Sequence, residues 1–162
     1  DLLCNFGGHK HAAGLSMKIE DVERFTERFE NFVGQNIKEE QLMPKIEIDQ
    51  CIVFSEMTNK FFQLIKRFAP FGPGNMSPVY MTENLLDTGG SRLVGKTEEH
   101  LRFELMDSNG NKFNGIGFFM KEHLKLIKEK RPFNICYTIE ENEFNGQTPL
   151  QLRIRDVQSI DK

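Results

Sequence analysis

Large apolar residues recur at steps of three and four over Val22, Phe25, Phe29, Phe32 and Val33, which sets them on one stripe. That spacing predicts a buried amphipathic helix over residues 20–34, with Gly34 as its stop. The polar run of residues 35–41, closed by Pro44, reads as a linker or surface turn. Ile46, Ile48, Ile52 and Phe54 share one parity, which is a strand pattern, and Met57, Phe61, Leu64, Ile65 and Phe68 return to helical spacing. The second helix has to end at Ala69, because Pro70 disfavours the helical conformation of the residue before it. Phe71-Gly72-Pro73-Gly74-Asn75 then forms a Gly/Pro elbow that no helix can cross.

Beyond the elbow the pattern becomes that of short strands. One lies near residues 85–94. Leu101, Phe103 and Leu105 alternate with Arg102, Glu104 and Met106, and Asn109-Gly110 turns the chain into an apolar, Gly-studded run over residues 113–119, making a hairpin. Met120, Leu124 and Ile127 describe a short helix that Pro132 terminates; Phe133, Ile135, Tyr137 and Ile139 alternate again; Asn145-Gly146 leads into Leu150, Leu152 and Ile154. Five strands with one helix between the third and fourth is the element order of an OB-fold barrel, an architecture that binds oligonucleotides on its strand 2–3 face and its 1–2 and 4–5 loops. The fold class expected is α+β.

Composition narrows the setting. The chain has 162 residues, 38% hydrophobic and 28% charged, with 21 basic against 24 acidic side chains and a formal net charge of -3. That excludes a disordered segment and a polybasic tail, and the length suits one domain or two small ones. No apolar stretch approaches the ~20 residues that span a bilayer. No segment is strongly basic, so phosphate binding has to rely on a few placed groups. Cys4, Cys51 and Cys136 are far apart, which suggests neither a disulfide framework nor a zinc site and fits a reducing, cytoplasmic location. With no initiating Met and an opening of Asp1-Leu2-Leu3, the chain reads as a piece of a longer protein.

The densest chemistry is Phe6-Gly7-Gly8-His9-Lys10-His11-Ala12-Ala13-Gly14. Its glycines permit positive φ and close approach of a ligand to backbone N–H groups, and His9 and Lys10 add donors, as a phosphate-holding turn requires. A tight turn carrying two surface histidines fits the same spacing. A metal pair at His9 and His11 lacks an acidic or Cys partner nearby. The elbow is taken as a packed hinge rather than a ligand contact. On the barrel, Lys96 in the first loop, Arg102 and Lys112 on or beside strands 2 and 3, Phe144 beside the 4–5 loop, and Arg153 and Arg155 on the last strand are the candidates for binding single-stranded DNA. Phe103, Phe113, Phe118, Phe119 and Phe133 are assigned to the core, and Lys121, Lys125, Lys128, Lys130 and Arg131 to a solvated helix face.

Gly-Gly-His-x-x-Ala-Ala-Gly over residues 7–14 resembles the signature of the DHH-associated domain, the substrate-holding half of the DHH phosphoesterase superfamily. The elbow, Val94-Gly95 with His100-Leu101-Arg102, Gly115-Ile116-Gly117-Phe118, and Asn145-Gly146 followed by residues 150–156 are similar, in the same order, to the C-terminal region of the RecJ family of single-stranded-DNA-specific exonucleases. The resemblance covers nearly the whole chain. It implies a partial DHH-associated segment over residues 1–43, a connecting strand, helix and hinge over 44–75, and an OB-fold domain over 76–162. It further implies that Gly7, Gly8 and His9 hold substrate phosphate, and that the parent enzyme cuts the phosphodiester bond from the 5′ end with Mn or Mg. The Asp-His-His motif is absent from these residues, so the metal ligands and the hydrolysis are expected in an upstream domain and no catalytic residue is expected here. The function implied is positioning single-stranded DNA for recombination and repair. Docking onto single-strand-binding protein or replication factors is the alternative. A small-nucleotide phosphodiesterase of the same superfamily is disfavoured by the trailing barrel.

Overall fold

In the computed structural model, which describes residues 2–142 and 149–160, the chain forms two compact units, Asp1–Ile46 and Glu47–Lys162. The first holds the strands β1 (Asn5–His9) and β2 (Ala12–Ser16), paired antiparallel, then α1 (Val22–Asn36) and the single turn α2 (Glu39–Leu42). The stripe on α1 is present, and Phe25 and Phe29 stack at 5.7 Å, yet none of its residues is buried. Phe29 is 56% and Phe32 66% exposed, which corrects the expected buried helix. A hairpin of ten exposed residues has too little apolar surface to cover that face. Gly34 does not stop the helix, because the Asn36 side chain donates to the Phe32 carbonyl and carries the last turn two residues further.

The second unit contains β3 (Gln50–Cys51), α3 (Asn59–Lys66), β4 (Tyr80–Asp87), β5 (Arg92–Val94), β6 (His100–Met106), β7 (Lys112–Gly117), α4 (Leu124–Lys128), β8 (Phe133–Glu141) and β9 (Leu150–Ser159). Its sheet has seven strands, against the five expected, in the order β3-β4-β8-β9-β7-β6-β5. A further pairing of Leu86 and Asp87 with Met106 and Leu105 joins β4 to β6, so β4, β8, β9, β7 and β6 close into a ring. β4 reaches both neighbours because it is bent: its register shifts between Thr82 and Leu85, and Asn84 adopts φ 57 there, its amide donating to the Asn134 side chain.

Two expected elements come out differently. The strand near residues 85–94 is two strands, broken where Gly89 takes φ 101 and Lys128 Nζ donates to the Gly89 carbonyl and the Asp87 carboxylate. The pattern from Ile46 to Phe54 pairs only at β3, in parallel with Tyr80 and Met81. Ile46 and Ile48 remain exposed, while Ile52 and Phe54 enter the core.

Inside the ring Leu101, Phe103, Leu105, Ile135, Tyr137 and Leu152 pack with almost no exposure, and Phe62 and Ile65 of α3 extend the same cluster. Helix α3 starts where Thr58 caps the Phe61 amide, and it buries Phe62 rather than the expected Leu64, which is 46% exposed; Phe68, beyond the helix end at Lys66, is exposed as well. The glycines of β7 are steric: a Cβ at Gly117 would sit 2.9 Å from the Phe103 ring, and one at Gly115 3.1 Å from the Ile154 side chain. The Tyr137 hydroxyl is satisfied by Thr82 at 2.7 Å and Met57 Sδ at 3.4 Å.

The β6–β7 turn spans residues 107–111 rather than only Asn109-Gly110, because a buried carboxylate organises it. Asp107 Oδ1 accepts from the amides of Asn109 and Asn111, Oδ2 accepts from the Asn111 side chain, and Gly110 takes φ 84. Burial pushes the Asp107 carboxyl upward, but the bonds from Asn111, Asn109 and the Phe54 amide outweigh it and hold the group below its ordinary value. A folded pKa below the unfolded ~3.9 supplies stability above that value and loses it as pH falls through the folded one. Asp107→Asn is therefore expected to cost about 1–3 kcal/mol at neutral pH and to flatten the fall in melting temperature below about pH 4. Thermal melts across that range check it; an acid limb unchanged by the substitution rules the carboxylate out as its source. Asp87, held low against its own burial by Ser91 and Lys128, leaves some acid dependence behind.

Candidate nucleic-acid interface

The strands that bury Leu101, Phe103 and Leu105 inward must carry the intervening residues outward. On β6 those are His100, Arg102 and Glu104; on β7, Lys112, Asn114 and Ile116; on β9, Arg153. Register aligns them across the sheet: Arg92 of β5 faces Arg102, Arg102 faces Ile116, and Ile116 faces Arg153. The row spans roughly 14 Å at the usual inter-strand spacing. Like charges directly opposite each other destabilise a sheet. Here Arg92 is offset by Glu104 at 3.6 Å and Arg153 by Glu140 at 3.8 Å, while Arg102 has no ion pair among the described residues.

At one end of this face lies a cluster that sequence alternation assigns to the core. Phe118 and Phe119 follow β7 and are 45% and 69% exposed. His100 meets both rings edge-on, with centroids 5.2 Å and 4.8 Å away, and the Arg153 guanidinium lies 5.1 Å from the Phe118 centroid. Of the other phenylalanines assigned inward, Phe103 and Phe133 are buried and Phe113 is partly so, packed on Phe54. Consecutive strand residues face opposite ways, so one of the pair 118/119 had to turn outward; both do, because Phe119 leaves the strand at φ 57.

The predicted cations divide into those that meet and those that do not. Arg102 and Arg153 share the row. Lys96 is exposed in the β5–β6 turn, closed by the Glu98 amide on the Gly95 carbonyl, next to the His100 end. Lys112 opens β7 six residues from Phe118, about 20 Å along the strand, and so stands apart. Arg155 sits in a bulge: Cys136 pairs with Asp156 and Tyr137 with Ile154, leaving Arg155 as the extra residue. The adjacent Cys136 thiol is buried, and burial together with Asp156 pushes its pKa up, away from nucleophilic chemistry. Phe144 lies outside the described residues. Of the helix-face lysines, Lys128 is not free but holds Asp87 at 2.9 Å, and Lys121 lies 3.7 Å from Glu99.

In the first unit Gly7 and Gly8 are strand residues opposite Gly14 and Ala13, and neither takes the positive φ expected of a phosphate-holding turn. Gly8 is needed for closeness instead: a Cβ there would lie 2.6 Å from the Ala12 carbonyl oxygen. His9 Nδ1 accepts from the His11 amide at 3.2 Å, which in the neutral ring leaves Nε2 carrying the proton on an exposed surface. Among the described residues no three His, Cys, Asp or Glu side chains gather as a metal site, and no helix is long and apolar enough to cross a membrane.

Against known proteins, the family model described as the RecJ OB domain matches residues 48–156. The single-stranded-DNA-specific exonuclease RecJ of Salmonella typhimurium is 30% identical over 97% of this chain and 27% of its own length. That of Haemophilus influenzae is 29% identical over the whole chain and 28% of its length, and that of Bacillus subtilis 27% identical over 96% of the chain and 20% of its length. The chain thus spans about a quarter of the relatives it matches. The crystal structure of RecJ from Thermus thermophilus in complex with Mn2+ superposes on 99% of the chain and 22% of its own, with a TM-score of 0.75 at 20% identity; a complex of the same protein with Mg2+ gives 0.74.

Proposed function

This chain belongs to the RecJ OB domain family, and from that premise we propose that it is the strand-holding C-terminal portion of a 5′-to-3′ single-stranded-DNA exonuclease acting in recombination and repair. The closed five-stranded ring with α4 between β7 and β8 is read as its OB fold. Gly7, Gly8 and His9 are assigned to substrate phosphate, with His9 Nε2 as the donor. Phosphodiester hydrolysis, and the Mn or Mg it needs, are assigned to a domain outside these residues. The described residues offer no cluster of His, Cys, Asp or Glu that fits such an ion.

The observation that carries the reading is the arginine row. Strands β5, β6 and β9 set Arg92, Arg102 and Arg153 in one register row on the outer face of the sheet, and Arg102, without an ion pair among the described residues, has its charge free for a phosphate. Titrating the chain with a fluorescent oligothymidylate at about 50 and about 200 mM salt tests it; the expected log–log slope is about -2, for three single-strand phosphate contacts. The net charge of -3 favours a second reading, a module that docks onto single-strand-binding protein or replication factors. Absence of binding at both salts would leave only that one.

A further inference from the structure

We propose that Phe118 and Phe119 form a two-ring platform on which unpaired nucleobases stack, with Arg153 taking an adjacent phosphate and His100 positioning both rings. The inference rests on the strand-binding reading above and adds to it where, and by which side chains, the bases are held. Phenyl rings exposed by 45% and 69% side by side are costly to keep in water, and the fold spends backbone strain to keep them there, since Phe119 occupies the left-handed region at φ 57. That conformation is held by a specific bond: the Phe119 amide donates to His100 Nδ1 at 3.2 Å. His100 is fixed in turn between the two rings, at 5.2 Å and 4.8 Å from their centroids.

Occupancy by a single strand, rather than by an apolar protein surface, follows from the charge around the rings. Arg153 lies against Phe118 at 5.1 Å, and Arg102, unpaired among the described residues, lies in the same register row. Aromatic faces flanked by cations match a polyanion that carries a flat base at every phosphate. A docking peptide would be expected to bring anionic side chains but no repeating stack.

The test compares an oligothymidylate of about ten nucleotides with an abasic strand of equal phosphate number, on the full chain, by fluorescence anisotropy. Wild type is expected to prefer the strand with bases by about tenfold or more, and Phe118→Ala/Phe119→Ala to reduce that ratio to about one, with the abasic affinity and the salt slope unchanged. His100→Ala is expected to lower the ratio to an intermediate value at an unchanged melting temperature; an unaltered ratio overturns its positioning role. A double Ala variant that still prefers bases overturns the platform. Equal wild-type affinity for both strands also overturns it while strand binding stands, and failure to bind either strand removes both. Both rings being at the surface, the double variant is expected to melt as wild type does, which circular dichroism checks.

Discussion

Replacing Arg102 and Arg153 together by Ala is expected to lower the affinity of the chain for an oligothymidylate by about 100-fold or more at low salt, and to make the salt slope shallower by about 1.4. Each lost contact is a charge-assisted hydrogen bond of about 1.5–3 kcal/mol, and each phosphate left unneutralised takes about 0.7 from the slope. Folding is expected to be indifferent. Arg102 has no ion pair to lose among the described residues, and its removal relieves repulsion with Arg92 opposite. The 3.8 Å contact of Arg153 with Glu140 joins two side chains that are 55% and 38% exposed, and such pairs contribute about 1 kcal/mol at most. Lys112→Ala is the internal control. It removes the same charge at the far end of β7 and should weaken binding much less. Anisotropy titrations of the double variant and of the control decide the matter, and equal losses in the two would mean that charge in bulk, not the row, holds the strand.

The largest effect on stability is expected at the opposite face of the same strand. Phe103 is fully buried, on β6 between the outward Arg102 and Glu104, and Gly117 of β7 lies so close that any added side chain there would meet its ring. Because the ring is packed from several strands at once, Phe103→Ala leaves a cavity that cannot collapse, and a loss of about 3–5 kcal/mol follows. Against a total stability of about 5–15 kcal/mol, that is enough to unfold an appreciable fraction of the molecules. Urea denaturation should show a lower midpoint with an unchanged m-value. A loss under about 1 kcal/mol would mean that the ring interior is not packed as described. Phe119→Ala, one strand away and exposed, should stay within about 0.5 kcal/mol of wild type, so the pair of phenylalanines separates structure from surface.

Much of the barrel can be read from alternation alone. Leu101, Phe103 and Leu105 face inward and Arg102 outward, and the short helix around Ile127 is present, although it ends at Lys128, ahead of Lys130 at φ 56 and short of the expected stop at Pro132. What periodicity does not supply is anything decided by a single backbone angle or by pairing between distant segments. Phe118 and Phe119 look like core because the run before them is apolar; the φ of Phe119 reverses that, and no residue type signals it. Arg92 is not among the candidates of the sequence, since only the register of β5 on β6 sets it beside Arg102. The parity of Arg153 and Arg155 suggests one shared face, which the bulge at Arg155 interrupts. In the first unit the apolar stripe of α1 is legible but its burial is not, because a stripe records a tendency to be covered and not the surface that covers it. Gly7 and Gly8 read as flexible where Gly8 is needed for closeness, a distinction that appears only once Ala12 and Ala13 are seen across the hairpin.

The contact of β4 with β6 also governs how copies of this chain would meet. The strands of the ring pair with one another, and the edges that remain on this sheet among the described residues are the outer sides of the two-residue β3 and the three-residue, Arg-bearing β5, which are too short to template a foreign strand. The β1–β2 pair has no such protection, since each of its strands keeps an outer side without a partner strand among the described residues. Strand addition between copies of this chain is therefore expected at the open sides of the amino-terminal hairpin rather than at the barrel.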